Sequence, residues 1–286
     1  MNGSRVSTTP RPCALEVLGL DAGYRAPKGL SGASDKLVVR GASFRVEAGQ
    51  LTAILGANGC GKTTLLKTCI GLLPKLGGEA LLEGAAVNRL GVRIRARTVA
   101  WVPQTSDNAW SFSAREVVAQ GRFSIRGAFA PFTDGDAEAV DAALAAMDAL
   151  DLADRIFSSL SGGEARRVLI ARALAQDTPL VALDEPAAHL DPGRQMELME
   201  TLAALARSGK AVAVSIHDVN AARRYADRIL LIDRQGGCRF GTPEDVLTPA
   251  NLEDAYDTEF LHGDHADYGR FVLPLARKKK GTRLHE

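Results

Sequence analysis

A chain of 286 residues that is 46% hydrophobic and 24% charged can bury a sizeable core, as one large domain or two small ones. A net charge of +1 gives no overall electrostatic case for nucleic acid, and Cys13, Cys60, Cys69 and Cys238 lack the spacing of a zinc site or a disulfide framework. No run of about eighteen apolar residues is present, so no membrane span is expected, and the polar N-terminal segment does not read as a signal peptide.

Residues 1–13 carry Ser, Thr and Pro with little apolar content and are expected to be flexible. Residues 14–20 alternate as a first strand, and Tyr24 follows in a Gly-containing turn. Residues 25–35 read as a flexible hairpin tip, after which 36–40 and 42–46 resume strand character. An antiparallel β element is thus predicted ahead of the apolar run 51–55, which has the length of a buried strand. A helix over 64–70 ends at Gly71 and Pro74, and 75–104 reads as short strands joined by a polar bridge.

Residues 105–160 change character, with helical periodicity at 113–120 and 138–150; in the latter Val140, Leu144 and Met147 share a face. A helix through residue 175, a buried strand at 180–183, an amphipathic helix at 194–208 and a strand at 211–216 follow. The last clear strand is 229–232. This alternation predicts an α/β fold: a mainly parallel core sheet, an N-terminal antiparallel β element and an inserted α-helical subdomain.

The stretch that carries chemistry is Gly56-Ala57-Asn58-Gly59-Cys60-Gly61-Lys62-Thr63, which fills G-x-x-x-x-G-K-[ST] between a strand and a helix. Glycines let successive backbone N–H groups curl around phosphate oxygens, and the helix N-terminus adds partial positive charge. Lys62 is expected to bridge the β- and γ-phosphates, Thr63 to hold Mg²⁺, and Thr64 to border the same site. Asp184 ends the apolar strand, where it can reach the magnesium shell, and Glu185 is placed to deprotonate an attacking water.

With these residues the chain resembles the ATP-binding-cassette (ABC) ATPases, P-loop NTPases whose remaining motifs it carries in the family's order. Leu160-Ser161-Gly162-Gly163 matches the signature motif, Gln104 the Q-loop, Asp191 the D-loop, His217 the switch histidine and Tyr24 the adenine-stacking aromatic. The resemblance spans residues 14 to about 250 and implies domain limits of 1–13, 14–250 and 251–286, the last a C-terminal extension. It implies ATP as substrate and Mg²⁺ as cofactor, with Thr63, Asp184 and Gln104 around the metal. It also implies a head-to-tail dimer, in which Ser161 and Gly163 contact the γ-phosphate held by a second copy and His217 hydrogen-bonds the γ-phosphate within its own chain.

Two departures stand out: Glu164 where the family has Gln, expected to have little effect, and Ala187-Ala188 where it commonly has Thr or Ser first. Residues 114–122, 185–192, 241–249 and 268–274 are similar to the importer ATPases for ferric siderophores, haem and cobalamin. That similarity implies membrane permease subunits as partners, a substrate-binding protein acting indirectly, and a peripheral location on the cytoplasmic face of the membrane. The alternative, a soluble ABC ATPase acting on nucleic acid, would need a basic face that the near-neutral charge does not supply. His262, Asp264, His265 and Asp267 are expected in a solvated loop rather than a metal site, and His189 as structural.

Overall fold

The computed structural model describes residues 12–26, 34–104, 111–126, 130–188, 190–266 and 269–275. The chain opens with two antiparallel strands, β1 (Cys13–Tyr24) and β2 (Lys36–Glu47). Cys13 already pairs with Glu47, so the expected flexible segment stops short of it; residues 1–11 lie outside the described residues. Residues 36–40 and 42–46 belong to one strand, because Gly41 takes a φ of 55° that bends the ladder without ending it. Most of the expected hairpin tip, 27–33, lies outside the described residues.

β3 (Leu51–Leu55) is buried along its whole length and leads through the glycine loop into α1 (Lys62–Cys69). β4 (Gly77–Leu82) and β5 (Ala85–Ala86) complete a four-stranded sheet of order β2-β1-β4-β5. The expected polar bridge contains a helix, α2 (Val92–Thr98), before β6 (Val99–Val102). Only Thr98 of α2 is buried, while Val92 and Ile94 face solvent, so this helix has no apolar stripe for a periodicity search to find.

The inserted helices are α3 (Ala114–Ala119), α4 (Phe123–Arg126) and α5 (Asp134–Ala146). α5 starts at 134 rather than 138 because Thr133 and Asp136 form a capping box, and it stops at its C-cap Met147. Val140, Leu144 and Met147 are buried together as the periodicity predicts. They share a core with α6 (Gly162–Ala175), so the helical packing runs past residue 160.

β7 (Leu180–Asp184), α7 (Pro192–Arg207), β8 (Ala211–Ser215), α8 (Val219–Tyr225) and β9 (Arg228–Ile232) follow in alternation. β9 is not the last strand. β10 (Cys238–Gly241) pairs with it antiparallel, and α9 (Pro243–Val246), α10 (Pro249–Tyr256) and the hairpin β11 (Phe260–His265) with β12 (Gly269–Pro274) complete the described chain. His262, Asp264 and His265 therefore sit in a strand rather than a loop, and Asp267 lies outside the described residues.

The second sheet has the order β10-β9-β3-β8-β7-β6, parallel throughout except at β10. Its central strands are covered on both faces, which is why they read as unbroken apolar runs. Leu51, Ala53, Leu55, Leu183 and Val214 join one core with α6 and α7; Ile54, Leu180, Ala182 and Ala213 join the other with α1 and the antiparallel sheet. In-register pairs Val102↔Leu183, Asp184↔Ser215 and Ile54↔Ser215 bring the carboxyl ends of β6, β7, β8 and β3 to one edge. At that edge of a parallel sheet, loops from several strands can meet around one ligand.

Candidate nucleotide site

The glycine loop between β3 and α1 is shaped by close approaches that no side chain would survive. A Cβ on Gly56 (φ 149°) would lie 2.5 Å from Cys60 Sγ and 2.7 Å from the Ile232 carbonyl oxygen. One on Gly61 (φ 111°) would lie 2.6 and 2.7 Å from methyl groups of Val38 and Val39. Ala57 and Cys60 are half-buried, whereas Asn58 and Gly59 form the exposed crest. Lys62 is buried at the start of α1 and folds back over the loop, where its Nζ donates to the carbonyls of Gly56 (3.0 Å) and Ala57 (3.4 Å).

Thr63 follows in the same first turn. The Tyr24 hydroxyl lies 3.1 Å from Thr64 Oγ1, which fixes its half-exposed ring beside α1. Burial pushes the Cys60 thiol above its ordinary range, with Lys62 partly opposing the shift.

The acidic half of the site is built from the ends of β7 and β8. Ser215 Oγ donates to Asp184 Oδ1 (2.7 Å) and accepts from the backbone N–H of Glu185 (2.8 Å), locking two consecutive residues. Glu185 has a φ of 45°, a left-handed conformation uncommon for a residue with a side chain and typical of positions held for function. Its carboxylate gathers three partners: His217 Nε2 at 2.6 Å and Lys62 Nζ at 3.6 Å from Oε1, and Gln104 Nε2 donating to Oε2 at 2.7 Å. Lys62 Nζ also lies 3.4 Å from His217 Nδ1. Three residues, reached from the ends of β3, β6 and β8, thus meet on one carboxylate at the end of β7.

The sequence reading missed two members of this cluster, Ser215 and Arg166. Arg166 lies on α6 and is buried; it donates from Nε to Pro186 O (3.1 Å), from Nη2 to Asp184 O (2.9 Å), and from Nη1 to the carbonyls of Pro103 and Gln104. Burial pushes its pKa down to about 10, against the opposing effect of Asp184. Arg166 and Arg167 stand together between Ala165 and Val168, so no sequence signal separates the buried arginine from its neighbour.

Ser161, Gly162 and Gly163 stand apart from this cluster. Ser161 caps α6, and no hydrogen bond joins these three residues to the glycine loop among the described residues. Glu164 completes a capping box with Ser161 and pairs with Arg155 at 2.8 Å. The Ser161 backbone N–H, followed by its hydroxyl and Arg155, holds the Glu164 carboxyl down at about 2. The acid that departs from the family pattern therefore serves as a helix cap. Asp191 caps α7, and it lines with Ser161, Gly163 and Arg194 a cavity of about 450 Å³ between α6 and α7. His189 lies outside the described residues.

A model of the family described as ABC transporter matches residues 39–188, a span that contains the glycine loop, Gln104, the Ser161 cap and Glu185. The chain belongs to the ABC transporter family. It is an ABC ATPase that binds and hydrolyses ATP. It is 42% identical over 234 residues to the hemin import ATP-binding protein HmuV of Nocardia farcinica, covering 81% of this chain and 80% of that one. It is 35% identical over 218 residues to YusV of Bacillus subtilis, named "Probable siderophore transport system ATP-binding protein", covering 76% of this chain and 79% of the relative.

Among solved structures, the ABC ATPase superposes on an ABC transporter in an inward-facing conformation, described as of metal-chelate type, with a TM-score of 0.77 and 28% identity, covering 93% of this chain and 98% of that one. It also matches a dimeric ATP-binding cassette bound to ADP and Pi, with a TM-score of 0.69, 25% identity and coverage of 80% and 98%. No helix among the described residues is long and apolar enough to cross a membrane.

Proposed function

We propose that this ABC ATPase is the motor subunit of an importer, energising uptake of a metal chelate of the iron–siderophore, haem or cobalamin class through a membrane permease. The observation that carries the catalytic part is the meeting of Lys62, Gln104 and His217 on Glu185. The names of the relatives, hemin import and siderophore transport, support the cargo class.

In this reading the backbone N–H groups of residues 56–61 and Lys62 hold the triphosphate, and Tyr24 stacks on the adenine. Glu185 accepts a proton from water as that oxygen bonds to the γ-phosphorus, and the bond from phosphorus to the bridging oxygen breaks to leave ADP and phosphate. Lys62 stabilises the charge that develops on the leaving oxygen, and His217 directs a ring N–H toward the transferred group. The Thr63 hydroxyl, Asp184 carboxylate and Gln104 amide form an all-oxygen donor set suited to Mg²⁺, which when bound neutralises charge on the phosphate oxygens.

Ser161 and Gly163 complete the site of a second copy in a head-to-tail dimer. That arrangement accounts for their separation from the glycine loop, and the dimeric solved cassette supports it. Residues 14–250 form the catalytic cassette and 251–286 an extension. Phe112, ahead of α3, and Ile156 lie in two short segments of the insert joined by the Ser113–Ile156 bridge and by the Phe157 N–H donating to Phe112 O, and both are about half exposed. They offer an apolar docking point for a permease helix, which would hold the subunit on the cytoplasmic face of the membrane with a substrate-binding protein acting from the other side.

The deciding experiment measures ATP turnover and gel filtration of wild type and Glu185→Gln with ATP, each alone and with its permease in vesicles. Wild type hydrolyses ATP, and the variant falls by about 10³-fold and elutes as a dimer. Wild-type turnover by Glu185→Gln would remove the carboxylate from its role. Vesicles that hydrolyse ATP yet take up no hemin, ferric siderophore or cobalamin would refute the cargo class alone.

A further inference from the structure

Arg166 is a buried cation whose described hydrogen bonds run to backbone carbonyls, not to a carboxylate. Withdrawing a guanidinium from water is costly, and a helix interior offers cheaper residues for mere packing. Its acceptors are informative. Pro103 and Gln104 belong to the segment that follows β6; Asp184 and Pro186 bracket Glu185 at the end of β7. One rigid fork therefore spans the two segments whose side chains meet in the 2.7 Å bond from Gln104 to Glu185. The same fork grips both neighbours of Glu185, the residue whose left-handed backbone needs outside support. Its carrier is α6, whose N-cap is Ser161 five residues earlier, so the group expected to meet a second copy's nucleotide and the water-activating pair share one rigid element.

We propose that Arg166 is a positioning residue that holds Gln104 and Glu185 in register, tying the water-activating pair of each chain to the signature end of its own α6. The proposal rests on the assignment of Glu185 and Gln104 made above. Arg166 makes no described hydrogen bond to residues 56–64, so ATP binding and hydrolysis should separate when it is changed. Lysine keeps the charge and most of the buried stem but presents a point donor instead of a fork, so it cannot serve both segments at once.

The experiment compares full-length wild type, Arg166→Lys, Arg166→Gln, Gln104→Ala, Glu185→Gln and the double variant Arg166→Lys/Gln104→Ala. The readouts are kcat and KM for ATP, equilibrium ATP binding and thermal unfolding. The expected result is a fall in kcat of about tenfold or more for both Arg166 variants, with ATP affinity within about twofold of wild type. The double variant is then no slower than the worse single variant, because both changes break the same Gln104–Glu185 contact. Wild-type kcat in Arg166→Lys overturns the proposal, as does a double variant whose loss is the product of the two single losses. Parallel loss of folding, ATP binding and turnover in both Arg166 variants also overturns it, since the residue would then serve stability alone. If Glu185→Gln turns over like wild type, the failure lies in the assignment of the carboxylate and not in Arg166.

Discussion

His217 Nε2 and Glu185 Oε1 lie 2.6 Å apart, the histidine just beyond β8 and the glutamate just beyond β7. The register Asp184↔Ser215 sets this spacing, and Ser215 Oγ reinforces it by bonding Asp184 Oδ1 and the Glu185 backbone N–H. Lys62 Nζ lies 3.4 Å from Nδ1, so the imidazole stands between the carboxylate and the lysine. The histidine thus orients Glu185 and faces the space beside Lys62.

Replacing His217 by Ala should lower kcat by about 10²–10³-fold, the effect of losing one directed donor at a charged reaction centre. KM for ATP should move far less, because the glycine loop and Lys62 are untouched. His217→Gln keeps a donor and should recover part of the loss. A phosphate-release assay across ATP concentrations checks this, and unchanged kcat in the Ala variant would refute the role.

Gly61→Ala and Gly59→Ala separate steric fit from backbone preference. Both positions have positive φ, 111° and 79°, but an added methyl at 61 meets Val38 and Val39 below 3 Å while one at 59 meets nothing within 4 Å. The change at 61 should cost about 1–3 kcal/mol more in urea unfolding than the change at 59, since packed β2 side chains must move aside. Equal losses would mean that the loop is not seated on β2.

The helical insert is tied together by a buried, ion-paired carboxylate. Asp136 is buried, bonds the Thr133 hydroxyl at 2.7 Å and pairs with Arg122 Nε at 2.9 Å and Arg126 Nε at 3.4 Å. The Thr133 hydroxyl, then Arg122, hold its carboxyl at about 2 against an ordinary value of 3.8, with burial opposing. A depressed folded-state pKa means the stabilisation is complete above the unfolded value and is lost as pH falls through the folded one. Thermal unfolding should therefore show wild type well above Asp136→Asn at neutral pH, with the gap closing between about pH 4 and pH 2. A gap that stays constant over that window would refute the coupling.

The sequence announced the residues whose identity the chemistry dictates: glycines where N–H groups must approach phosphate, a lysine after them, a carboxylate at a buried strand end. It was silent where the information is spatial. Gln104 and Glu185 are 81 positions apart, and only the β6–β7 register makes them partners. Arg166 reads as one more charge in a helical segment until its carbonyl acceptors are known. α2 went unseen because it buries almost nothing, and β11–β12 because their residues are mostly exposed, leaving no alternation to detect. Glu164, where the family has Gln, completes the capping box that presents Ser161, a role open to either residue.

Cys60 gives a chemical handle on the glycine loop. Its Sγ lies against Gly56, its N–H donates to Ala57 O at 3.2 Å, and burial raises the thiol so that little thiolate is present at neutral pH. N-ethylmaleimide should modify it slowly, and faster as pH rises. An adduct placed between Gly56 and Lys62 fills the space through which phosphate must pass, so turnover should fall in step with its modification, and bound ATP should protect. Cys13 and Cys238 are also partly accessible, so peptide mass mapping must assign the adduct and Cys60→Ala must resist inactivation. Full modification at Cys60 with turnover intact would mean that the loop does not cradle the triphosphate.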